Sequence, residues 1–188
     1  MAKLTHFAEE NSCYFLISTT YERKPFFKID KYAQILCNII YNLRNRQKMS
    51  LLGFVVMAEH FHLLIVPSSE VRISWIMQEI KKGSARLINR DRFSGIQGRA
   101  RRSDVEFNEI RYSGSSLTPN KVWMDEYYDY VIRNEKDMIK HLEYIFNNPV
   151  KRGLVESPEK YAWSSANSNF ENDLERITSG SGTSPITI

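Results

Sequence analysis

Two periodicities of apolar side chains run along this sequence, and together they predict alternating strands and helices. CYFLISTTYER (residues 13–23) is rich in β-branched and aromatic residues and predicts a first strand. Residues 29–47 repeat apolar side chains at helical spacing after a candidate N-cap at Asp30. SLLGFVVMAE (50–59) and HFHLLIVPS (60–68) are continuous apolar runs, typical of neighbouring strands buried on both faces.

The second half of the chain continues the same alternation. VRISWIMQEIKKGSARLINRD (71–91) predicts a second helix, and KVWMDEYYDYVI (121–132) predicts a fourth strand. Between them, residues 93–120 lack any period and contain several glycines and serines, so they predict a loop insertion. NEKDMIKHLEYIFNNP (134–149) predicts a third helix that starts at Asn134 and is stopped by Pro149.

The predicted order is β-α-β-β-α-β-α. Its first six elements match a split βαβ unit, so we expect an α+β, ferredoxin-like antiparallel sheet with helices packed on one face. A further C-terminal helix carries Tyr144. A length of 188 residues fits one compact domain, which we place at residues 1–170, followed by a flexible tail at 171–188.

The composition of the chain indicates its cellular compartment but says little about its function. The sequence contains no apolar run of membrane-spanning length and no secretory signal at its N-terminus, so a cytoplasmic protein is expected. Cys13 and Cys37 have no CxxC spacing and are interpreted as ordinary buried thiols.

Positive charge is concentrated in one stretch, although the net charge of +4 is modest. Between residues 81 and 102 a single acidic residue, Asp91, accompanies eight basic ones: Lys81, Lys82, Arg86, Arg90, Arg92, Arg99, Arg101 and Arg102. Such clustering predicts contacts with the phosphates of a nucleic acid. The alternative is a solvated helix face followed by a loop.

Two of the four histidines stand one residue apart at the start of an apolar run. On a strand, His60 and His62 point to the same face and Phe61 to the opposite one. Two convergent imidazoles suit a divalent metal ion. Two core histidines with hydrogen-bond partners are the alternative, and spacing alone leaves both open.

The third predicted helix has a tyrosine on its polar side. Its apolar stripe consists of Met138, Ile139, Leu142, Ile145 and Phe146, and Tyr144 lies about 160° from the centre of that stripe. Asn148 is one turn further on, and His141 is beside them. This helix could bring a phenol and an amide oxygen to the paired imidazoles around a metal ion. A surface tyrosine and a helix-stop asparagine are the alternative.

These residues carry a resemblance. MAEHFHLLIVP (57–67) resembles the histidine–hydrophobe–histidine (HUH) motif of single-tyrosine transposases. HLEYIFNNPVKRGLVESPEKYAWSS (141–165) resembles the tyrosine helix and following segment of their REP-associated branch. VWMDEYYDYVIRNEKD and YFLISTTYERKPFF are similar to other parts of that branch, so the match spans residues 13–168. The sequence departs from the common pattern at Ala58, at Met124 and in the length of 93–120.

The resemblance implies a DNA transposase of the bacterial cytoplasm. It implies that His60, His62 and Asn148 bind Mg²⁺ or Mn²⁺ and that Tyr144 is the nucleophile. The substrate would be single-stranded or hairpin DNA, cleaved through a 5′-phosphotyrosine intermediate and rejoined without ATP. Lys81, Lys82, Arg86, Arg90, Arg99, Arg101 and Arg102 are the candidate DNA contacts, and His141 is a candidate auxiliary group.

Two other interpretations remain open. A ferredoxin-like domain could bind single-stranded nucleic acid on an open sheet face, with Tyr127, Tyr128 and Tyr130 as stacking candidates, without cleaving it. A domesticated relative could keep the fold and metal but not transposition. We expect a monomer rather than a dimer, because in the REP-associated branch the tyrosine acts in the active site of its own chain.

Overall fold

The computed structural model of the protein describes residues 12–97 and 121–174. Seven main elements follow one another in the order that the sequence predicts. Their bounds are as follows: β1 Tyr14–Thr19, α1 Asp30–Asn45, β2 Met49–Met57, β3 His60–Pro67, α2 Ile73–Gln97, β4 Tyr128–Val131 and α3 Glu135–Lys151.

The four strands form one sheet in the order β2-β3-β1-β4, and every neighbouring pair is antiparallel. β1 is therefore central although it comes first in the chain, and β4 is an edge strand. This is the arrangement of a split βαβ unit, so the predicted ferredoxin-like α+β fold is confirmed.

The two faces of the sheet are covered by different helices. On one face, Leu16, Phe61 and Leu63 pack with the apolar sides of α1 and α2. On the other face, Phe15, Val55 and Leu64 pack with the apolar side of α3. The open sheet face expected from the sequence is thus partly covered, because the stripe of α3 needs an apolar partner and lies over β2 and β3 rather than against a sheet edge.

Several predicted boundaries are wrong. α2 continues to Gln97, five residues into the predicted loop insertion, whose remaining residues 98–120 lie outside the described part of the chain. The fourth strand is shorter than predicted, and Asp30 is the first residue of α1 rather than its N-cap. α3 passes through the buried Pro149 and ends at Lys151. Pro149 donates no backbone hydrogen bond, but the N–H groups of Arg152 and Leu154 donate to the carbonyls of Asn148 and Pro149 and close the end of the helix.

The segment after α3 runs along the outer edge of β2. The backbone N–H of Val56 donates to the carbonyl of Trp163, and that of Ser165 donates to the carbonyl of Phe54. These bonds cover an edge that would otherwise be open to pairing with another chain.

The end of this segment is fixed by a buried ion pair. Asp173 accepts two hydrogen bonds from the Arg44 guanidinium, at 2.7 and 2.9 Å, and one from the backbone N–H of Leu51. Residues up to Leu174 therefore belong to the packed domain, and the tail predicted from residue 171 starts too early. Residues 175–188 lie outside the described range.

No helix in the described ranges is long and apolar enough to cross a membrane. Cys13 and Cys37 are both buried and unpaired, and burial raises the pKa of each thiol to about 12. The prediction of ordinary buried thiols is confirmed, because such groups stay protonated and unreactive near neutral pH.

Candidate active site

The histidine pair lies where a tight hairpin enters the sheet. Ala58 and Glu59 alone connect β2 to β3, so His60 is the first residue of β3 and pairs with Met57. The alternation of the strand sends His60 and His62 to the α3 side of the sheet, while Phe61 is fully buried among the residues of the other side. The two imidazoles meet at right angles, with ring centroids 4.8 Å apart.

α3 brings an amide against this pair. Nδ2 of Asn148 lies 3.2 Å from Nε2 of His62, and both side chains are buried. Two imidazoles and one amide therefore lie together on the α3 side of the sheet. Within residues 12–97 and 121–174, no three His, Cys, Asp or Glu side chains gather at one point, and the third donor beside this pair is the Asn148 amide.

The second nitrogen of His62 is not satisfied. Nδ1 of His62 is fully buried and has no hydrogen-bond partner among the described residues. A histidine placed for packing alone would be expected to use both nitrogens, since burying an unbonded polar atom costs free energy. This observation favours a functional role for His62 over the core-histidine alternative.

Both imidazoles are held neutral. Burial lowers the pKa of His62 to about 3, with smaller contributions from the charges of His60 and Arg152. Burial also lowers the pKa of His60, although the neighbouring Glu59 carboxylate opposes that shift. Neutral imidazoles have free lone pairs near pH 7, which is the state that binds a metal ion.

Glu59 orients His60 from the hairpin turn. Its Oε1 lies 3.2 Å from Nδ1 of His60 and accepts a hydrogen bond of 2.7 Å from Arg152, while the Arg23 guanidinium is 3.5 Å away. Burial raises the pKa of the Glu59 carboxyl, but the hydrogen bond from Arg152 and the charge that His60 carries when protonated outweigh this and keep the pKa below its usual value. With Nδ1 of His60 so engaged, Nε2 is the nitrogen available to a ligand.

Tyr144 lies against the same group of rings. Its ring stands edge-on to His62, with centroids 5.2 Å apart, and edge-on to Phe15 at 6.0 Å. The Nζ of Lys151 lies 5.4 Å from the centre of the Tyr144 ring. Tyr144 is 41% exposed, so the prediction that it is not a core tyrosine is confirmed, and its ring is open to a substrate.

His141 is held one turn before Tyr144. Its ring stacks on Tyr130 with a centroid distance of 5.1 Å and lies 4.7 Å from Phe15. Its Nδ1 is 2.8 Å from the carbonyl oxygen of Asp137 and 3.3 Å from the carboxylate of the same residue. An auxiliary role, which stays a prediction, would therefore have to use Nε2.

The described part of the predicted basic cluster lies on the face of the sheet opposite this site. α2 packs on the face opposite α3, and Lys82, Arg86 and Arg90 form an exposed stripe on it. Lys81 turns inward instead and donates to the carbonyl oxygens of Asp125 and Glu126. Arg99, Arg101 and Arg102 lie outside the described residues.

Three residues that support the site were not predicted from the sequence. Glu59, Lys151 and Arg152 all contact one of the predicted site residues or each other, yet none has a periodicity that sets it apart. Their adjacency in sequence to His60 or to Asn148 and Pro149 is the one signal that could have indicated them.

The donor set fits a divalent cation. Neutral imidazole nitrogens and amide oxygens can both act as ligands of divalent cations. The position of Asn148 beside Nε2 of His62 and the fixed orientation of His60 are consistent with such a role. Asn148 presents its amide from a different element, so these three donors come together only in the folded protein.

Known proteins resemble this chain in sequence and in fold. Residues 9–103, about half of the chain, match the family model described as transposase IS200 like. The matched region includes both histidines and ends before α3. A Haemophilus influenzae protein provisionally named a REP-associated tyrosine transposase is 26% identical over 111 residues. The alignment covers 58% of this chain and 54% of that protein, so the chain spans about half the length of this relative.

Two further comparisons cover more of the chain. The REP-associated tyrosine transposase of Escherichia coli K12 is 24% identical over 144 residues, covering 76% of this chain and 67% of that protein. The structure of a REP-associated tyrosine transposase bound to a REP hairpin has a similar fold. It superimposes with a TM-score of 0.63 at 21% identity, covering 100% of this chain and 91% of that one.

The chain belongs to the IS200-like transposase family. Its relatives in the REP-associated branch and its split βαβ sheet support the resemblance found in the sequence.

Proposed function

We propose that this protein is a metal-dependent endonuclease and strand transferase that acts on single-stranded, hairpin-forming DNA. The observation that carries the proposal is the contact between the exposed Tyr144 and the buried histidine pair, with Asn148 completing the donor set. The hairpin DNA bound by the structural relative supports the choice of substrate.

Tyr144 would attack the scissile phosphate. Its hydroxyl oxygen would form a bond to phosphorus while the bond from phosphorus to the 3′ oxygen breaks, leaving a 5′-phosphotyrosine and a free 3′-hydroxyl. The phenol proton would leave to water or to Nε2 of His141. Because the phosphotyrosine keeps the energy of the ester, attack by another 3′-hydroxyl would reverse the step and join two strands.

His60, His62 and Asn148 would hold Mg²⁺ or Mn²⁺, which when bound would polarise the phosphate and offset its negative charge. Glu59 would keep the His60 ring in position through Nδ1. Lys151, beside the ring of Tyr144, would add positive charge where phenolate and phosphate come together.

The test is a labelling experiment with a defined polarity. The protein is incubated with Mn²⁺ and a panel of hairpin oligonucleotides that carry single-stranded extensions, labelled at either the 3′ or the 5′ end. A 3′ label should appear on the protein in a complex that survives boiling in detergent, whereas a 5′ label should be released with the free 3′-hydroxyl.

The controls separate chemistry from binding. Tyr144→Phe and addition of a chelator should each abolish the labelled complex. Tyr21→Phe removes another partly exposed phenol, one with no proposed role in metal or DNA binding, and should leave the complex unchanged. A complex that persists in Tyr144→Phe would refute the assignment. DNA binding that is unchanged by chelator and by Tyr144→Phe, with no labelled protein formed, would indicate a non-catalytic binding module.

A further inference from the structure

One row of side chains crosses the sheet from the candidate active site to its open edge. Val55, His62, Ile17 and Tyr128 are paired in register on four neighbouring strands. Paired residues of antiparallel strands point to the same face, so Tyr128 lies on the side that holds Tyr144 and the histidines. Since strands are about 4.8 Å apart, Tyr128 is about 10 Å from His62 across the sheet.

Tyr128 is the accessible member of this row. It is 47% exposed, whereas Val55 and His62 are buried. In the described part of the chain no other ring or cation lies against its ring. Because α3 covers β2 and β3, the β4 edge is where an unpaired base could reach this face of the sheet.

A basic cleft continues from this edge toward α3. It has a volume of about 530 Å³ and lies between the end of β4 and the exposed side of α3. Arg133, Lys136 and Lys140 contribute positive charge to its walls, and Arg133 lies 5.5 Å from the centre of the Tyr130 ring.

Two acidic residues also line the cleft, but one of them is already engaged. The carboxylate of Asp137 accepts from the backbone N–H of Arg133 and lies beside His141, while Glu143 is exposed. The cleft therefore presents mainly cations to solvent, next to a free aromatic ring and close to Tyr144. A polyanion with exposed bases complements such a surface.

We infer that the β4 edge and this cleft form a subsite for the unpaired nucleotides of single-stranded DNA that lie next to the cleaved phosphate. Tyr128 stacks on a nucleobase, and Arg133, Lys136 and Lys140 contact backbone phosphates. The inference rests on the proposed function for the position of the scissile phosphate. It assigns these contacts to residues other than the basic stripe of α2.

The first test uses a fluorescein-labelled twelve-nucleotide oligothymidylate, because stacking on an aromatic ring tolerates any base and this probe has no duplex part. Fluorescence anisotropy in low salt with chelator measures binding without cleavage. Tyr128→Ala should weaken binding about 5- to 100-fold. Tyr128→Phe keeps the ring and should bind within about twofold of the wild type. Phe93→Ala, which removes an exposed ring from α2 on the opposite face, should also have no effect.

The second test compares two pairs of exposed lysines and arginines by the salt dependence of binding. Replacing Lys136 and Lys140 by alanine should reduce the slope of log affinity against log salt by about 1.4, since each phosphate contact on a single strand contributes about 0.7. The matched variant replaces Lys82 and Arg86 by alanine and should leave the slope unchanged.

The outcomes separate this inference from the proposed function. Wild-type binding in Tyr128→Ala, or a slope that falls only for the Lys82 and Arg86 variant, would overturn the subsite even if the covalent complex forms. If instead no labelled complex forms but binding still depends on Tyr128, the subsite stands as a single-strand binding surface and the endonuclease assignment fails.

Discussion

Asn148 and His62 are 86 residues apart in sequence, yet Nδ2 of the asparagine lies 3.2 Å from Nε2 of the histidine in a buried contact. The contact joins α3 to β3 and places Tyr144, one turn earlier on the same helix, beside the His62 ring. The position of the proposed nucleophile is thus coupled to that of the proposed metal ligands.

The Asn148 amide should be needed for metal binding. Asn148→Ala removes the third donor, so we expect the affinity for Mn²⁺ to fall by at least tenfold when measured by calorimetry without DNA. Asn148→Asp keeps an oxygen at the same place and should retain binding. Unchanged Mn²⁺ affinity in the alanine variant would show that Asn148 is not a ligand.

Glu59 should act on metal binding through His60. Glu59→Gln weakens the hydrogen bond to Nδ1 and removes the charge paired with Arg152, so we expect about 10- to 100-fold weaker Mn²⁺ binding. Glu22→Gln, which alters an exposed acid paired with Lys24, is the matched control and should bind as the wild type does. Equal loss in both variants would argue against an orienting role.

The stability of the metal-free protein should fall in acid because of His62. Its pKa of about 3 in the folded state is below the unfolded value near 6.5, so the unfolded chain binds more protons as the pH falls below 6.5. Between pH 6 and pH 5 this should cost about 1 kcal/mol of unfolding free energy.

Urea unfolding with chelator at pH 7, 6 and 5 measures this dependence. His62→Gln cannot titrate in this range, so its unfolding free energy should decline less steeply between pH 6 and 5 than that of the wild type. Identical pH dependence of the two proteins would mean that the buried imidazole does not resist protonation.

The buried ion pair between Arg44 and Asp173 should contribute strongly to stability. Asp173→Ala leaves the Arg44 guanidinium buried without its main partner, and we expect a loss of about 3–5 kcal/mol in urea unfolding. Glu171→Ala removes the other acidic partner of Arg44, whose side chain is 82% exposed, and should cost less than about 1 kcal/mol. A small effect of Asp173→Ala would show that residues beyond the predicted boundary are dispensable.

Local periodicity predicted the strands and helices, and it also predicted the directions in which His60, His62 and Tyr144 point. The strand alternation at His60 and His62 and the polar position of Tyr144 both depend on neighbours within one element, and both match the structure. Ile139, assigned to the apolar stripe of α3, is instead 46% exposed and lines the cleft between the end of β4 and α3.

Packing between residues far apart in the sequence determines which face of the sheet each helix covers, and local patterns do not predict this. Nothing in a period of 3.6 tells which face of a sheet a helix covers, so the sequence could not predict that α3 shields β2 and β3 or that Lys82, Arg86 and Arg90 lie behind the sheet. The interaction of Glu59 with Arg152 likewise joins a hairpin turn to the end of α3 and leaves no trace in spacing.

Tyr144 and the histidine pair that it contacts are supplied by the same polypeptide, which has a stoichiometric consequence. Under the proposed chemistry each molecule could carry one severed strand end at a time, since its single phenol would be occupied until the ester is resolved. Excising a DNA segment takes two cuts. Complete excision would therefore require two molecules acting together, or one molecule that finishes at the first end before it attacks the second.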